Sequence, residues 1–365
     1  MKRLLCIVSS MNVGGAETFL MKIYRDLNKG LYQMDFCVNN ESNFYKDEIL
    51  GLGGKIYVIP SKSQSPIKHF TFLYNIVKSE KYYYVMRVNE HSLSVLDLLA
   101  AKKAGANRLI MRSSNAGSEN SITTALHKAF KFLPKFVPNV KIAPSDLAAE
   151  YTFGKKAVRN GNVVFLPNGI DTKKFSFNNK ARESIRENLN IQDKVVLGHI
   201  GRFSEQKNHD FLIDIFYEYH AMNKDSVLLL IGDGPLKDRI ADKVNSLGLV
   251  NSVKFLGIRK DIPQLLSAMD LFVFPSFYEG MPNTVIEAQT TGLKCLISDA
   301  ITKESQITDA VRFKELQSGA YSWAINIDEI IREKHENRID YAEKMRAKNY
   351  DLSDVVEKFT SVVFD

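Results

Sequence analysis

The chain has 365 residues, 45% hydrophobic and 25% charged, an ordinary globular composition that is long enough for two domains with separate cores. A formal net charge of +7 and a pI of about 9.0 favour anionic partners without choosing among nucleotides, nucleic acids and acidic lipids. No RNA-binding signature, zinc-finger spacing or long Lys/Arg run is present, so nucleic acid is not an expected partner.

The three cysteines, Cys6, Cys37 and Cys295, lie far apart in apolar runs, which points to reduced core thiols rather than disulfides or a metal cluster. The apolar segment Leu4–Val8 is too short for a bilayer span or a signal peptide, and no other segment reaches ~20 apolar residues. A soluble, cytoplasmic protein is expected, with peripheral membrane contact left open.

In chain order, Leu4–Ser9 reads as the first strand. It is followed by Met11-Asn12-Val13-Gly14-Gly15-Ala16-Glu17, where two glycines before a helix (Ala16–Leu27) permit close backbone approach to a ligand. The dinucleotide fingerprint G-x-G-x-x-G is absent, and a plain tight turn is the alternative. Strands follow at Tyr32–Val38, Lys55–Ile59, Tyr83–Val88, Arg108–Met111, Lys141–Ala143 and Val163–Leu166, with helical patterns at Phe70–Lys78 and Leu93–Ala104 between them.

His91 ends the strand at Tyr83–Val88, where it can bond a sugar hydroxyl or meet developing charge, or can simply cap and pack. Arg112, Ser113, Ser114 and Asn115 end the next strand and are candidates for the acceptor side. The stretch Ile122–Val137 interleaves His127, Lys128, Lys131 and Lys135 with Phe130, Phe132, Leu133 and Phe136. It suits either an anionic leaflet or an ordinary surface helix.

Pro167-Asn168-Gly169-Ile170-Asp171 marks the boundary into a second domain of the same plan. Its strands are expected at Val195–Ile200, Val227–Ile231, Val253–Leu256, Leu271–Phe274 and Lys294–Ile297, and its helices at Asn208–His220, Pro235–Leu247, Ile262–Ala268 and Pro282–Thr291. His199, inside a strand, is assigned to the core. Strand–helix alternation implies an α/β fold of two doubly wound parallel sheets, with a ligand cleft where the carboxyl ends of the strands face each other. The expected domains are residues 1–170, residues 171–350, and a terminal helix in residues 351–365 packing back on the first.

The second domain holds the strongest chemical signals. Gly201-Arg202-Phe203-Ser204-Glu205-Gln206-Lys207-Asn208 follows a strand and opens a helix, where positive charge is unfavourable unless an anion is bound. Arg202 supplies a planar fork of donors and Lys207 a mobile point charge, suited to a diphosphate. Phe277-Tyr278-Glu279-Gly280-Met281-Pro282-Asn283 follows the strand ending at Phe274, and Pro282 suits the first helical position. Free amides at that helix start form an anion site. Glu279 and Glu287, repelled by a diphosphate at close range, are better placed on sugar or ribose hydroxyls. No Asp-x-Asp occurs in the chain, so no metal ligands are assigned and no cofactor is expected.

Together these pieces resemble glycosyltransferase family 4, retaining enzymes of GT-B fold, over nearly the whole chain. The resemblance rests on Gly14-Gly15-Ala16-Glu17, Pro167-Asn168-Gly169-Ile170-Asp171, Gly201-Arg202 with Lys207-Asn208, Ile231-Gly232-Asp233-Gly234-Pro235, and above all the family's E-x7-E at Glu279 and Glu287. Ser298-Asp299-Ala300-Ile301-Thr302-Lys303-Glu304 is similar to a variant in capsule and exopolysaccharide transferases.

The resemblance implies that Arg202 and Lys207 hold the donor diphosphate, with Gly14, Gly15 and Gly201 close to it. It gives Glu287 the ribose and Glu279 the donor sugar, and places Gly280, Met281, Pro282, Asn283 and Thr284 at the phosphate and sugar. Backbone near Ile258–Arg259 would read the base, and His91 would lie near the donor sugar, so His91, Glu279, Arg202 and Lys207 are the expected catalytic set. The implied reaction retains the anomeric configuration by front-face attack, with a UDP-sugar as donor and a saccharide, often lipid-linked, as acceptor. The segment at Arg112-Ser113-Ser114-Asn115 departs from the histidine-rich stretch of similar transferases. A sugar-nucleotide epimerase and a sugar-nucleotide-binding regulator share the architecture and stay open as alternatives.

Overall fold

Apolar runs buried on both faces form parallel strands, and in each half of the chain the connecting helices cover those faces. The computed structural model describes residues 1–12, 14–89, 92–113, 132–333 and 337–365. It divides into two units, Met1–Gly169 with Leu352–Asp365, and Ile170–Asp351.

The first unit carries strands β1 (Lys2–Ile7), β2 (Tyr32–Val38), β3 (Ile56–Val58), β4 (Tyr84–Asn89), β5 (Arg108–Ser113), β6 (Val140–Ala143) and β7 (Val164–Phe165) in one parallel sheet of order β3-β2-β1-β4-β5-β6-β7. Alternation is visible within β1. Leu4 and Cys6 enter one core cluster, and Leu5 and Ile7 the other. The terminal helix Leu352–Phe364 belongs to this unit and buries Val355, Phe359, Val363 and Phe364 beside the helix Gly15–Asp26, with Phe359 edge-on to Phe19 at 6.4 Å.

The second unit repeats the arrangement with β8 (Val195–Ile200), β9 (Ser226–Ile231), β10 (Val253–Gly257), β11 (Leu271–Phe274), β12 (Cys295–Ser298) and β13 (Val311–Lys314). The order is β10-β9-β8-β11-β12-β13, all parallel. Val227, Leu229 and Ile231 of β9 face one core, and Leu228 and Leu230 the other. The helices His209–Met222 and Ala320–Arg332 pack on the second of these faces, and Asn283–Thr290 on the first.

Several details differ from the sequence reading. Pro282 stands just outside its helix, at φ −73° and ψ 111°, and Asn283 is the first helical residue. Strand β13 and the helix Asn179–Leu189 are additions that the apolar pattern did not announce. All three cysteines are buried and unpaired, and burial pushes their thiols up out of the reactive range. No helix among the described residues is long and apolar enough to cross a membrane.

Candidate functional site

In the second unit the strand order reverses between β8 and β11. In a doubly wound sheet this reversal opens a crevice beyond the carboxyl ends of the two strands. The paired register of β8 and β11 consists of Leu271 opposite Leu197 and Phe272 opposite Gly198, and it stops there.

The two loops that follow are joined across the crevice. Phe277 N donates to Gln206 O at 2.9 Å, Gln206 Nε2 to Tyr278 O at 2.9 Å, and Asn208 Nδ2 to Pro275 O at 3.1 Å. Asn208 sits in the left-handed region at φ 55°, which turns the chain from the 3-10 turn Glu205–Lys207 into the helix His209–Met222.

These bonds bring together residues 72 apart in sequence. Lys207 Nζ donates to Glu279 Oε1 at 2.6 Å, with side chains only 16% and 12% exposed. The same ammonium lies 4.6 Å from the centroid of the Phe274 ring, which completes its setting with a cation–π contact. Arg202, five residues earlier on the same loop, is exposed, and its guanidinium makes no hydrogen bond or ion pair with any described residue. It is therefore free to meet an anion.

Gly280 and Met281 lead into the helix Asn283–Thr290, whose ladder begins with the Val285 and Ile286 amides bonding Pro282 O at 3.1 and 3.2 Å. The amides of Asn283 and Thr284 fall outside that ladder, as first-turn amides do. Glu287 is half-buried on this helix, one turn beyond Asn283.

A second layer of loop fixes the first. Phe203 N donates to Asp233 O at 3.1 Å, and Leu236 N to Phe203 O at 3.1 Å. Gly232 (φ +135°) and Gly234 (φ +158°) lie flat against Gly201 and Phe203, where any Cβ would collide with backbone. The Gly-Asp-Gly-Pro motif is thus a floor that holds the Gly201–Lys207 loop in place.

The remaining sequence candidates lie on other elements. Arg259 follows β10, two strands from β8 at the same end of the sheet, and its guanidinium is tied to Asp261 at 2.8 and 2.6 Å. Gly14 and Gly15 begin the helix after β1, and the space a Gly14 Cβ would need is filled by the Glu17 carboxylate. His91 lies outside the described residues, as do Ser114, Asn115 and Ile122–Lys131 of the basic aromatic stretch. From the described end of that stretch, Phe132 and Phe136 are exposed and Pro134 is buried.

Arg112 and Ser113 correct the expectation that they line an acceptor surface, since both are fully buried. Arg112 lies over the Phe19 ring at 3.8 Å and donates to Asn168 Oδ1 at 2.7 Å, while Ser113 bonds Ala148 O and Thr152 Oγ1 at 2.9 and 2.8 Å.

His199 is fully buried, as its strand position implied, yet it lies directly beneath the loop. Its Nδ1 is 2.9 Å from Val273 O, and its ring meets His209 at 4.7 Å. Burial, with the charge of Lys207 acting the same way, holds His209 down at about 4 and His199 well below the ordinary histidine value. The roles of Gln206 and Asn208 in joining the loops, and the contact of His199 with His209, were not announced by the sequence. The available signal was Asn208 itself, a residue type enriched in left-handed turns.

The family Glycosyl transferases group 1 matches residues 181–348, which include every second-unit site residue above. EpsF of Bacillus subtilis, which its name describes as a glycosyltransferase, is 33% identical over 309 residues, 83% of this chain and 80% of EpsF. The chain belongs to the glycosyl transferases group 1 family. This transferase is also 27% identical, over 64% of its length and 62% of the relative's, to the UDP-Gal:alpha-D-GlcNAc-diphosphoundecaprenol alpha-1,3-galactosyltransferase of Escherichia coli. Among solved structures, HepE of Anabaena in complex with UDP superposes with a TM-score of 0.83 over 99% of both chains at 19% identity, which establishes the GT-B fold of the transferase.

Proposed function

We propose that this glycosyltransferase moves a sugar from a UDP-sugar to a lipid-linked saccharide in surface or exopolysaccharide biosynthesis. In this reading the reaction retains the anomeric configuration and needs no metal. The observation that carries it is the Lys207–Glu279 pair at the β8/β11 switch point, on the same loop as Arg202, whose guanidinium pairs with no described residue.

The diphosphate leaves with growing negative charge, and Arg202, Lys207 and the amides at Asn283 and Thr284 are donors fixed in advance of the reaction. Glu279 holds Lys207 in position before the donor arrives. Once phosphate oxygens share the ammonium, the carboxylate gains freedom to accept from donor-sugar hydroxyls. Glu287 takes the ribose hydroxyls. The UDP donor and lipid diphosphate acceptor are supported by the name of the Escherichia coli relative, and the nucleotide also by the HepE complex. Contact with an anionic membrane surface and a cytoplasmic location accompany such an acceptor.

The test is incubation with radiolabelled UDP-sugars and extracted lipid-linked saccharides in excess chelator. Label should enter the lipid fraction with an axial or equatorial linkage matching that of the donor. Label converted without acceptor, or transfer abolished by the chelator, would contradict the proposal.

A further inference from the structure

We propose that His199 is a positioning residue for transfer: it occupies the gap where β8 and β11 part and thereby sets where Lys207 stands. The inference rests on the donor-site reading above.

Beyond the Phe272–Gly198 pairing, the Val273 carbonyl is met by the His199 ring, with Nδ1 at 2.9 Å. A carbonyl only accepts, so Nδ1 carries the proton and Nε2 is bare. Nε2 is buried with no hydrogen-bond partner among the described residues and points at Gly201. A Cβ on Gly201 would lie 3.1 Å from that nitrogen and 3.2 and 3.3 Å from Cδ and Cε of Lys207. The imidazole edge and the lysine stem are therefore packed around one small space that glycine alone leaves open.

Contact continues on the other side. Phe274 stacks on His199 at 5.2 Å and carries the Lys207 ammonium at 4.6 Å. Two alternate carbonyls, of Val273 in the parting strand and of Pro275 just beyond its end, are thus satisfied by side chains, His199 and Asn208, from the loop-bearing side. The spacing of the two loops, and with it the Lys207–Glu279 geometry, follows from the size and single proton of this ring.

Calorimetric binding of UDP, donor KM and kcat, and thermal melting are measured for wild type, H199N, H199Q and H199L. Asparagine puts an amide N–H near the Nδ1 position, whereas glutamine overshoots it and leucine offers no donor. H199L should weaken UDP binding and raise donor KM about tenfold at temperatures where it is folded, and H199N should recover affinity to within about threefold of wild type. Should H199L fail to fold, the comparison of H199N with H199Q decides, with Asn binding at least about fivefold tighter. A folded H199L with wild-type affinity, or equal affinities for H199N and H199Q, overturns the inference while wild-type binding keeps the donor-site reading intact. Absence of UDP binding by the wild type overturns that reading and this inference with it.

Discussion

Replacing Lys207 with Met separates two consequences of one side chain. The stem is largely kept, so packing against Gly201 and Phe274 survives, but Glu279 is left as an unpaired carboxylate with 12% exposure. For a pair as little exposed as this one, removing one partner costs up to about 3 kcal/mol. For a unit of this size the upper figure is a fall in melting temperature of roughly 6–12 °C. Separately, the loss of a charged donor to a phosphate oxygen is worth about 1.5–3 kcal/mol, or roughly 10- to 150-fold in UDP affinity. The double variant K207M/E279Q removes the orphaned charge. It should recover most of the melting temperature and none of the UDP affinity. Melting by circular dichroism and UDP titration calorimetry on the three proteins read the two effects apart. A K207M protein that binds UDP as tightly as wild type refutes the assignment of Lys207 to the diphosphate.

E279Q alone should keep UDP affinity within about threefold of wild type, because UDP carries no donor sugar, while transfer falls about a hundredfold or more, as read by initial rates against UDP titrations. In the first unit, burial pushes the Asp97 carboxyl up, but the hydrogen bond from His69 and the charges of Lys62 and Arg87 outweigh it and hold it down at about 2, against an ordinary 3.8. A depressed carboxyl stabilises the fold above its unfolded value and loses that contribution as pH falls from about 4 towards 2, so wild-type stability should drop by about 2 kcal/mol over that window while D97N, destabilised at neutral pH, shows a flatter profile in chemical denaturation. Phe359 to Ala empties a fully buried ring site between the terminal helix and Phe19, and should cost about 3–5 kcal/mol in denaturant melts of the first unit.

The sheets were legible because strands buried on both faces, such as Val227–Ile231, read as unbroken apolar runs between polar or glycine-bearing turns, here Lys224-Asp225-Ser226 and Gly232-Asp233-Gly234-Pro235. Strand β13, Val311-Arg312-Phe313-Lys314, did not show itself, since among the described residues it is a sheet-edge strand of four residues paired with β12 alone, and its alternating charges break the apolar run. The helix Asn179–Leu189 has a single buried residue, Arg186. It is held by the Asn178 cap on Ala181 N and by Arg182 and Arg186 binding carbonyls of residues 267–269, which no hydrophobic period announces.

Within the candidate site, Arg202, Lys207, Glu279 and Glu287 were singled out from strand–turn–helix context. The 2.6 Å contact between Lys207 and Glu279 depends on which strands are neighbours, and sequence spacing carries no such information. Arg112 illustrates the converse. A charged residue at a strand end suggests a ligand, yet an aromatic face and a side-chain amide satisfy it within the core.

Amide hydrogen exchange of the full chain, with and without UDP in the presence of chelator, tests the switch-point site most directly. Protection should appear in peptides covering residues 199–209 and 275–287, with no change at residues 292–296 and 309–312, where β12 and β13 begin at the opposite end of the sheet. Protection confined to the latter peptides, or binding that leaves 199–209 and 275–287 exchanging as before, would contradict the placement of the donor diphosphate between the loops after β8 and β11.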